Sequence, residues 1–357
     1  MIKLLIVDDS ALMRRQLMTL FQAEGDFEIR QARNGDEAVR ENREFQPDVV
    51  TLDINMPEMD GLTALSLIMA ERPVAVVMVS SLTNEGALAT FEALNLGAVD
   101  YVAKPGGTIS LSIDRITEQL VAKVRSAARA RPRGTRFNAA GVVRRMQEER
   151  RKTVQESSAP KGPAVPTEGV LVIGASTGGP RALEIVLSGL PERFPWPVLV
   201  AQHMPAAFTR AFADRLNQCC ALEVVEAGSA LAVEAGKVYI GRGGADTLLA
   251  NRAGRLTVLP SPENQEFLWH PSVELLGRSV LQHYDAKRTT AVLLTGMGHD
   301  GSDAFTEIKK RGGRTIAESE DSAVVYGMPA ELVRKGGAGL VMAAEKIAAQ
   351  LSTWAGR

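Results

Sequence analysis

Short apolar runs in the first 105 residues each end at a polar or charged residue. Four such runs are Ile2–Val7, Asp48–Leu52, Val74–Val79 and Ala98–Ala103. The residues that follow them are Asp8-Asp9, Asp53, Ser80-Ser81 and Lys104-Pro105. Near-continuous Val, Ile and Leu is typical of parallel strands buried on both faces, and helical patterns lie between the runs. The pattern predicts an α/β domain with a parallel sheet, whose strand ends gather these polar residues at one edge.

A second set of apolar runs lies beyond residue 168 and ends in a similar way. The runs Gly169–Ile173, Val198–Gln202 and Thr290–Thr295 are followed within a few residues by Ser176, His203 and Asp300. They also alternate with helical patterns. We therefore expect a second α/β domain, doubly wound and built on a mainly parallel sheet.

The stretch between these regions is strongly basic. Residues 123–161 contain twelve Lys or Arg residues against three acidic ones, whereas the whole chain has a formal net charge of −1. The stretch has few large apolar residues, so it cannot bury enough surface to offset its ordering entropy. We expect an exposed linker at 123–167, between domains at 1–122 and 168–357. A nucleic-acid contact is the alternative, but apart from Phe137 the stretch lacks the aromatic residues that single-strand binding uses.

Composition excludes several classes of protein. With 45% hydrophobic and 23% charged residues, the chain has the composition of an ordinary globular protein. A net charge near zero argues against a surface that binds nucleic acid or anionic membrane as a whole. The chain has no apolar run of ~20 residues and no secretory leader, so we expect a cytoplasmic protein without membrane insertion. Cys219 and Cys220 are adjacent and can form neither a disulfide framework nor a zinc site, which predicts inert thiols.

The acidic residues of the first domain indicate phosphoryl chemistry. Asp8, Asp9 and Asp53 would repel one another at one edge of the sheet unless a cation compensated them, and such an oxygen-rich site suits Mg²⁺. Asp53 could then act as a nucleophile that forms an acyl phosphate, with Lys104 pairing with a phosphoryl oxygen and Ser80 sensing it. The alternative is that each Asp is only a helix N-cap or turn residue. That explains any one of them, but explains poorly why four polar groups all end strands.

These residues carry a resemblance to response-regulator receiver domains. The matching motifs are VDDS at 7–10, LDINMPEMDG at 52–61, MVSS at 78–81 and KP at 104–105. The resemblance implies a flavodoxin-like, five-stranded parallel sheet in which Asp53 accepts phosphate from a sensor histidine kinase. It also implies that Asp8, Asp9 and Asp53 hold Mg²⁺. Ser80, preferred over Ser81, would be the switch hydroxyl, Tyr101 the switch aromatic residue and Lys104 the phosphate partner.

A serine in the second domain lies where a nucleophile would be exposed. Gly174, Ser176 and Gly178 fit the pattern G-x-S-x-G between a strand and a helix. The glycines allow a tight turn, and the helix N-terminus offers free N–H groups to an oxyanion. A dinucleotide-binding turn is the alternative. It is disfavoured because neither the G-x-G-x-x-G spacing nor an acidic residue at the end of the next strand is present.

Such a serine needs a base, and the chain has four histidines. His283 lies in a helical pattern that favours a surface position, His270 precedes Pro271 at a helix start, and His299 adjoins Asp300. His203, in contrast, ends a strand. Ser176, His203 and Asp300 thus follow three separate strands, which predicts a triad at the edge of the sheet; the chain order of a triad is variable.

The second domain resembles that of the chemotaxis response-regulator protein-glutamate methylesterases. The motifs are GASTGGP at 174–180, QHMPAAFTRAFADRLN at 202–217, HPSVELL at 270–276, LLTGMGHDG at 293–301 and VVYGMP at 324–329. The resemblance implies that Ser176 attacks glutamyl methyl esters of methyl-accepting chemoreceptors and releases methanol, with His203 as base and Asp300 as its partner. Receptor glutamines would be deamidated by the same chemistry. Backbone N–H groups near Thr177 and Met297 are the candidates for the oxyanion hole.

The sequence departs from this family at two places. Around Gly241–Asp246 it lacks the usual Pro-Gly turn and histidine, and His299 precedes Asp300 at a variable position. Neither departure touches the predicted triad, but the first leaves open which receptor the protein accepts.

The leading hypothesis is an esterase gated by phosphorylation. Docking of the receiver over the Ser176 edge would block a helical substrate, and phosphorylation of Asp53 would shift that equilibrium. A second hypothesis is a response regulator with a non-catalytic output domain and a linker that contacts DNA. A third is a nucleotide-dependent oxidoreductase built on Gly174–Gly179.

Overall fold

The computed structural model describes residues 1–80, 84–104, 113–130 and 168–356. The chain divides into two compact units, Met1–Asn138 and Ala139–Arg357. Among the described residues, no helix is both long enough and apolar enough to cross a membrane.

The N-terminal unit is a five-stranded parallel sheet in the order β2-β1-β3-β4-β5. The strands β1 to β5 are Ile2–Val7, Phe27–Ala32, Val49–Asp53, Ala75–Ser80 and Asp100–Ala103. The helices are Ala11–Glu24, Gly35–Glu44, Gly61–Glu71, Asn84–Leu96 and Ile113–Ala128. The prediction of a flavodoxin-like parallel sheet is therefore confirmed, with this strand order.

Local sequence explains where three of these helices begin. The Ser10 hydroxyl accepts a hydrogen bond from the Met13 N–H at 3.3 Å, and Asn34 and Asp60 cap the next two helices in the same way. The strands Val49–Asp53 and Ala75–Ser80 are buried along their whole length, as expected of central strands covered on both faces.

The fifth helix crosses the boundary expected at residue 122. Val124 and Ala127 are fully buried, and the ammonium of Lys123 binds the carboxylate of Asp100 at 2.8 Å. Arg125 binds Asp26 at 2.8 Å. The first unit therefore extends at least to Ala128, and two cations of the basic stretch are neutralised within it. The rest of the expected linker, from 131 to 167, lies outside the described residues.

The C-terminal unit has a seven-stranded sheet in the order β15-β14-β13-β6-β7-β10-β8, in which every neighbouring pair is parallel. A second, three-stranded antiparallel sheet has the order β11-β12-β9, and its strands come between β8 and β13 in the sequence. Strands β6 to β10 are Val170–Ala175, Val198–Gln202, Glu223–Ala227, Leu231–Ala232 and Lys237–Gly241. Strands β11 to β15 are Asp246–Arg252, Arg255–Ser261, Thr289–Leu293, Arg314–Glu318 and Leu340–Met342. The predicted doubly wound, mainly parallel sheet is confirmed.

The helices of this unit lie between strands of the chain, except for the last one, which follows β15. They are Gly179–Ser188, Ala206–Cys219, Val273–His283, Ser302–Lys310, Met328–Arg334 and Ala344–Ala355, with a short 3₁₀ helix at Ala286–Arg288. The core of the unit contains Val172, Leu199, Ala291 and Phe305, all fully or almost fully buried.

The strand order of the larger sheet reverses at its centre. From β6 the chain proceeds to β7 on one side, and it returns later to β13 on the other side. The point where the strand order reverses is where ligands bind in open parallel sheets, outside the carboxyl ends of the strands. Ser176, His203 and Asp300 follow β6, β7 and β13 and lie at this end.

Candidate active site and phosphorylation site

Ser176 sits in a tight turn between β6 and the helix Gly179–Ser188. Its N–H donates to the Thr295 carbonyl at 3.0 Å, and its own carbonyl accepts from the Gly179 N–H at 2.7 Å. Gly178 has a φ of 76°, a left-handed conformation that favours glycine. A Cβ at Gly178 would also lie 2.6 Å from the Cβ of Val324. The turn therefore requires glycine at this position, and it leaves the serine directly before a helix N-terminus.

His203 connects Ser176 to Asp300. It follows β7, and its N–H donates to the Ala175 carbonyl at 3.1 Å. Its Nδ1 lies 3.0 Å from the Ser176 hydroxyl oxygen, and its Nε2 lies 2.8 Å from a carboxylate oxygen of Asp300. The imidazole is 1% exposed. The structure thus brings together the three residues that the sequence predicted.

Four donors surround the carboxylate of Asp300. One oxygen accepts from His203 and from the Val273 N–H at 2.7 Å. The other accepts from the Ser272 hydroxyl at 3.0 Å and from the Glu274 N–H at 2.9 Å. The last three groups belong to the N-terminus of the helix Val273–His283, whose dipole also favours a negative charge. Each carboxylate oxygen therefore accepts two hydrogen bonds.

The electrostatics of Asp300 follow from these contacts. Burial acts to raise its pKa, but the hydrogen bond and charge of His203 and the two backbone N–H groups outweigh that effect, so that the pKa lies below its ordinary value. An ionised carboxylate only accepts hydrogen bonds. His203 Nε2 must therefore carry the proton that faces Asp300, which leaves Nδ1 as the basic nitrogen facing the Ser176 hydroxyl.

Two contacts of this site were not predicted from the sequence. The first is the docking of Asp300 on Ser272 and the helix that follows it. The motif HPSVELL contained the necessary signal, a Ser N-cap before a helical pattern. The second is Trp269, whose ring lies parallel to the His203 ring, with centroids 5.4 Å apart and planes 8° apart. No pattern in the sequence connects position 269 with position 203.

The oxyanion-hole candidates lie on both sides of Ser176. Thr177 follows it directly and is fully buried; its carbonyl accepts a hydrogen bond from the Thr295 hydroxyl at 2.9 Å. Met297 is in the loop after β13. That loop passes close to the serine, since a Cβ at Gly296 would lie 2.7 Å from the Ser176 Cβ. The oxyanion hole at Thr177 and Met297 stays a prediction.

The other histidines have different surroundings. His270 is buried, and its Nδ1 donates to a carboxylate oxygen of Asp246 at 3.0 Å. Asp246 belongs to the stretch in which the sequence departs from the family pattern. His283 is the last residue of its helix, and His299 is exposed next to Asp300. The preference for His203 among the four agrees with this geometry.

The acidic residues of the N-terminal unit also come together. Carboxylate oxygens of Asp8, Asp9 and Asp53 all lie within 4.8 Å of one another. The Lys104 ammonium lies 3.0 Å from Asp8 and 2.7 Å from Asp53. Asp8 and Asp53 are buried, whereas Asp9 is exposed. An all-oxygen donor set of this size, open on one side, fits a Mg²⁺ ion that keeps several waters.

Asp53 and Lys104 are perturbed in ways that follow from this crowding. Burial raises the pKa of Asp53, and the charge of Asp8 adds to the effect, against the lowering influence of Lys104 and of the Asn55 N–H. Burial lowers the pKa of Lys104, but the hydrogen bonds and charges of Asp53 and Asp8 outweigh it and the pKa is raised. The ammonium is therefore held charged by the carboxylates that it compensates.

The two predicted switch residues are both buried. Ser80 is the last residue of β4, and its hydroxyl donates to the Gly86 carbonyl at 3.3 Å. The Tyr101 ring packs edge-to-face against Phe91, with centroids 6.5 Å apart, and the Lys123 ammonium lies 5.1 Å from its centroid. Burial raises the pKa of the Tyr101 phenol well above its ordinary value. The tyrosine is thus in an inward orientation in this structure.

Comparison with known proteins agrees with both units. The sequence model of the CheB methylesterase family matches residues 171–351, and that of the response regulator receiver domain matches residues 4–113. The crystal structure of the Thermotoga maritima CheB methylesterase catalytic domain covers 52% of this chain and 98% of that domain, with a TM-score of 0.50 and 36% identity. The fold of the C-terminal unit is therefore that of a known catalytic domain.

Two relatives cover the whole length of the chain. A Rhodospirillum rubrum protein named protein-glutamate methylesterase/protein-glutamine glutaminase 3 is 52% identical, over 100% of this chain and 97% of the relative. A Rhodopseudomonas palustris protein named protein-glutamate methylesterase/protein-glutamine glutaminase 2 is 53% identical, over 99% and 98%. With these relatives, and with family models that match both units, the chain belongs to the CheB methylesterase family and carries an N-terminal receiver domain.

Proposed function

We propose that this protein hydrolyses glutamyl methyl esters of chemoreceptors as the output of a two-component pathway. The observation that carries the proposal is the hydrogen-bonded chain from Ser176 through His203 to Asp300 at the carboxyl ends of three parallel strands. The names of the full-length relatives supply the substrate class.

The first half of the reaction forms an acyl-enzyme. The Ser176 hydroxyl oxygen attacks the ester carbonyl carbon while its proton passes to His203 Nδ1. Negative charge develops on the former carbonyl oxygen, where backbone N–H groups near Thr177 and Met297 would stabilise it. The tetrahedral intermediate then expels the methoxy group, which takes the proton from His203 and leaves as methanol.

The second half regenerates the serine. Water gives a proton to His203 Nδ1 and attacks the acyl carbon, and the glutamate carboxylate leaves as the proton returns to the Ser176 oxygen. A glutamine side chain would follow the same path with ammonia as the leaving group, so the same site supports deamidation. Throughout, Asp300 stays ionised and stabilises the imidazolium that forms twice in the cycle.

Control of this reaction is assigned to Asp53. A carboxylate oxygen of Asp53 attacks the phosphorus of a phosphohistidine on the sensor kinase; the new O–P bond forms as the P–N bond breaks, and the histidine leaves. Mg²⁺ held by Asp8, Asp9 and Asp53 would neutralise the phosphoryl oxygens during this transfer. Lys104 already lies 2.7 Å from Asp53. It would exchange that contact for a phosphoryl oxygen, and Ser80 and Tyr101 would respond to the change.

The two other hypotheses receive less support. For the DNA-contacting alternative, the basic stretch loses part of its free charge, because Lys123 and Arg125 are paired with acidic residues of the first unit. For the oxidoreductase alternative, the Gly174–Gly179 turn presents Ser176 to a histidine rather than an open glycine loop to a pyrophosphate.

Methanol release from membranes that contain methylated chemoreceptors tests the proposal. The intact protein should release methanol, and release should increase when an acyl-phosphate donor is added. Ser176→Ala should abolish release and leave phosphorylation of Asp53 intact, while Asp53→Asn should keep the basal rate and lose the increase. Methanol release that persists in the Ser176 variant would rule out the nucleophile.

A further inference from the structure

One buried carboxylate outside the Ser176–His203–Asp300 chain holds a loop that reaches both partners of Ser176. One oxygen of Asp246 accepts hydrogen bonds from the Ser272 N–H at 2.9 Å and from His270 Nδ1 at 3.0 Å. Its other oxygen accepts from the Asn264 N–H at 2.8 Å. Asp246 is 1% exposed. It therefore ties together the two ends of the segment 264–272, which we call the 264–272 loop.

A second contact holds the middle of the 264–272 loop. The Phe267 ring lies under the guanidinium of Arg278, 5.7 Å from its centroid, and Arg278 is itself bound to Glu274 at 2.8 Å. Phe267 also closes a turn, since its N–H donates to the Asn264 carbonyl at 3.0 Å. The loop is thus fixed at its two ends to Asp246, the first residue of β11, and at its middle to Arg278 of the helix that follows it.

The 264–272 loop delivers two side chains to the predicted triad. Ser272 donates its hydroxyl to Asp300 at 3.0 Å. Trp269 lies parallel to His203, with ring centroids 5.4 Å apart and an interplanar angle of 8°. Trp269 itself is only partly buried.

The stacking restrains a motion that the hydrogen bonds of His203 leave open. Hydrogen bonds at Nδ1 and Nε2 tolerate a range of angles, so they leave the plane of the imidazole some freedom to tilt. The torsion that governs this tilt is broad for histidine. A flat indole parallel to the ring blocks the tilt toward its own side and favours a protonated imidazole through its π face. It thereby keeps the Nδ1 lone pair directed at the serine hydroxyl.

We propose that Trp269 is a positioning residue for His203, and that Asp246 acts as the anchor that presents it. This assignment deepens the proposed function, on which it rests, by adding a residue that acts through the base rather than on the substrate. A flat ring is what the position requires. Bulk of another shape at residue 269 would fill the space without fixing the imidazole plane.

The experiment compares three variants of the full-length protein with wild type. Trp269→Leu keeps an apolar side chain but removes the flat ring, whereas Trp269→Phe keeps a flat ring. Trp354→Leu is the matched control, because Trp354 is also partly buried but stacks on Arg314, at 5.3 Å, instead of a histidine. For each variant, kcat and KM are measured with methylated receptor membranes, and the rate of Ser176 labelling is measured with a fluorophosphonate.

We expect Trp269→Leu to lower kcat and the labelling rate roughly ten- to a hundredfold, the cost of misplacing a catalytic group, with KM within about twofold of wild type. Trp269→Phe should recover most of the loss, and Trp354→Leu should match wild type. An unchanged kcat, or a change in KM alone, would overturn the proposal and make Trp269 a surface that contacts the receptor. Failure of phenylalanine to recover activity would overturn the requirement for a flat ring.

Two further measurements separate this proposal from folding defects and from the proposed function. In a Trp196→Phe, Trp354→Phe background, Trp269 is the single tryptophan left of three. Its emission should shift to the red when His203→Ala uncovers one indole face. A red shift is also expected in the separate variant Asp246→Asn. If neither variant shifts the emission, the stacking is contradicted. The fluorophosphonate rate needs no receptor. If Trp269→Leu slows labelling but not even the wild-type protein releases methanol, the proposed substrate is refuted and the positioning role of Trp269 is kept.

Discussion

Each unit has an aspartate near the end of a central parallel strand, and the two aspartates have pKa values shifted in opposite directions. Asp300 and Asp53 both lie at the carboxyl end of a central parallel strand. Asp300 is surrounded by four hydrogen-bond donors, one of them His203, and its pKa is lowered. Asp53 lies beside Asp8, both carboxylates contact the one ammonium of Lys104, and the pKa of Asp53 is raised. Asp300, ionised in the proposed reaction, is thus held by neighbouring hydrogen-bond donors, whereas Asp53, the proposed phosphorylation site, is held by the cation of Lys104.

Replacing Asp300 should produce the largest effect on this comparison. Asp300→Asn keeps the shape but loses the charge, and its amide can donate toward His203 and favour the wrong tautomer. We expect kcat for methanol release to fall by about 10³- to 10⁴-fold. Asp303→Asn is the matched control, since Asp303 is 63% exposed and bound only on the surface to Lys335. A loss of less than tenfold would show that the charge of Asp300 is not required for the reaction.

The lowered pKa of Asp300 also predicts how the stability of the C-terminal unit responds to acid. A carboxyl group with a pKa below its unfolded value contributes stability that is present above that value and lost as the pH falls through the folded pKa. The difference in unfolding free energy between wild type and Asp300→Asn should therefore be largest at neutral pH and should shrink below about pH 4. Urea titrations at pH 7 and pH 3.5 measure it; a difference that stays constant would contradict the assignment.

Removal of the Lys104 ammonium should have the next largest effect, on the stability and activation of the receiver unit. Lys104→Met leaves Asp8 and Asp53 in one buried cluster without compensation, which should destabilise the receiver unit by about 3 kcal/mol at neutral pH and abolish activation by an acyl-phosphate donor. Lys237→Met is the control, because Lys237 pairs with Glu223 and Glu234 at the surface of the other unit. A receiver that unfolds at the same urea concentration as wild type would show that Lys104 compensates nothing.

Loss of a single donor to Asp300 should have a smaller effect. The Ser272 hydroxyl donates to Asp300 and also accepts from the Leu275 N–H at 3.3 Å, so Ser272→Ala removes a hydrogen bond to a charged group and a helix cap. We expect kcat to fall by about tenfold and the catalytic unit to lose about 1 kcal/mol of stability. Ser352→Ala, in which a surface helix loses one hydroxyl bond to the Ala348 carbonyl, should change neither quantity.

The sequence predicted the parts of both sites that depend on strand ends. Apolar runs placed Asp53, Ser176 and His203 because the carboxyl ends of parallel strands share an edge, and both sheets agree with that expectation. What it could not predict depends on contacts between segments far apart in the chain. The stacking of Trp269 on His203 is of this kind, and so are the hydrogen bonds to Asp300 from the Ser272 hydroxyl and from the N–H groups of Val273 and Glu274, since no periodicity relates them.

The boundary expected at residue 122 falls inside the fifth helix for a different reason. Composition alone locates the basic stretch, and a run of Lys and Arg has the same composition whether it is solvated or paired. Lys123 and Arg125 belong to the basic stretch by count, yet they bind Asp100 and Asp26 within the first unit. Buried Val124 and Ala127, three residues apart as on one face of a helix, are the features that distinguish a helix from a linker here.

The smallest expected effect has the opposite sign from the others. Because the pKa of Asp53 is raised by burial and by Asp8, its charged form is disfavoured in the fold: the contribution of this group to stability is greatest below its unfolded pKa and is lost as the pH rises through the folded pKa. Asp53→Asn should therefore stabilise the receiver unit at pH 7 while Lys104 keeps its bond to Asp8. Asp36→Asn, a surface residue in the first turn of its helix, provides the comparison. Calorimetry that finds the receiver transition of Asp53→Asn at or below that of wild type would show that the fold does not disfavour the ionised, reactive carboxylate.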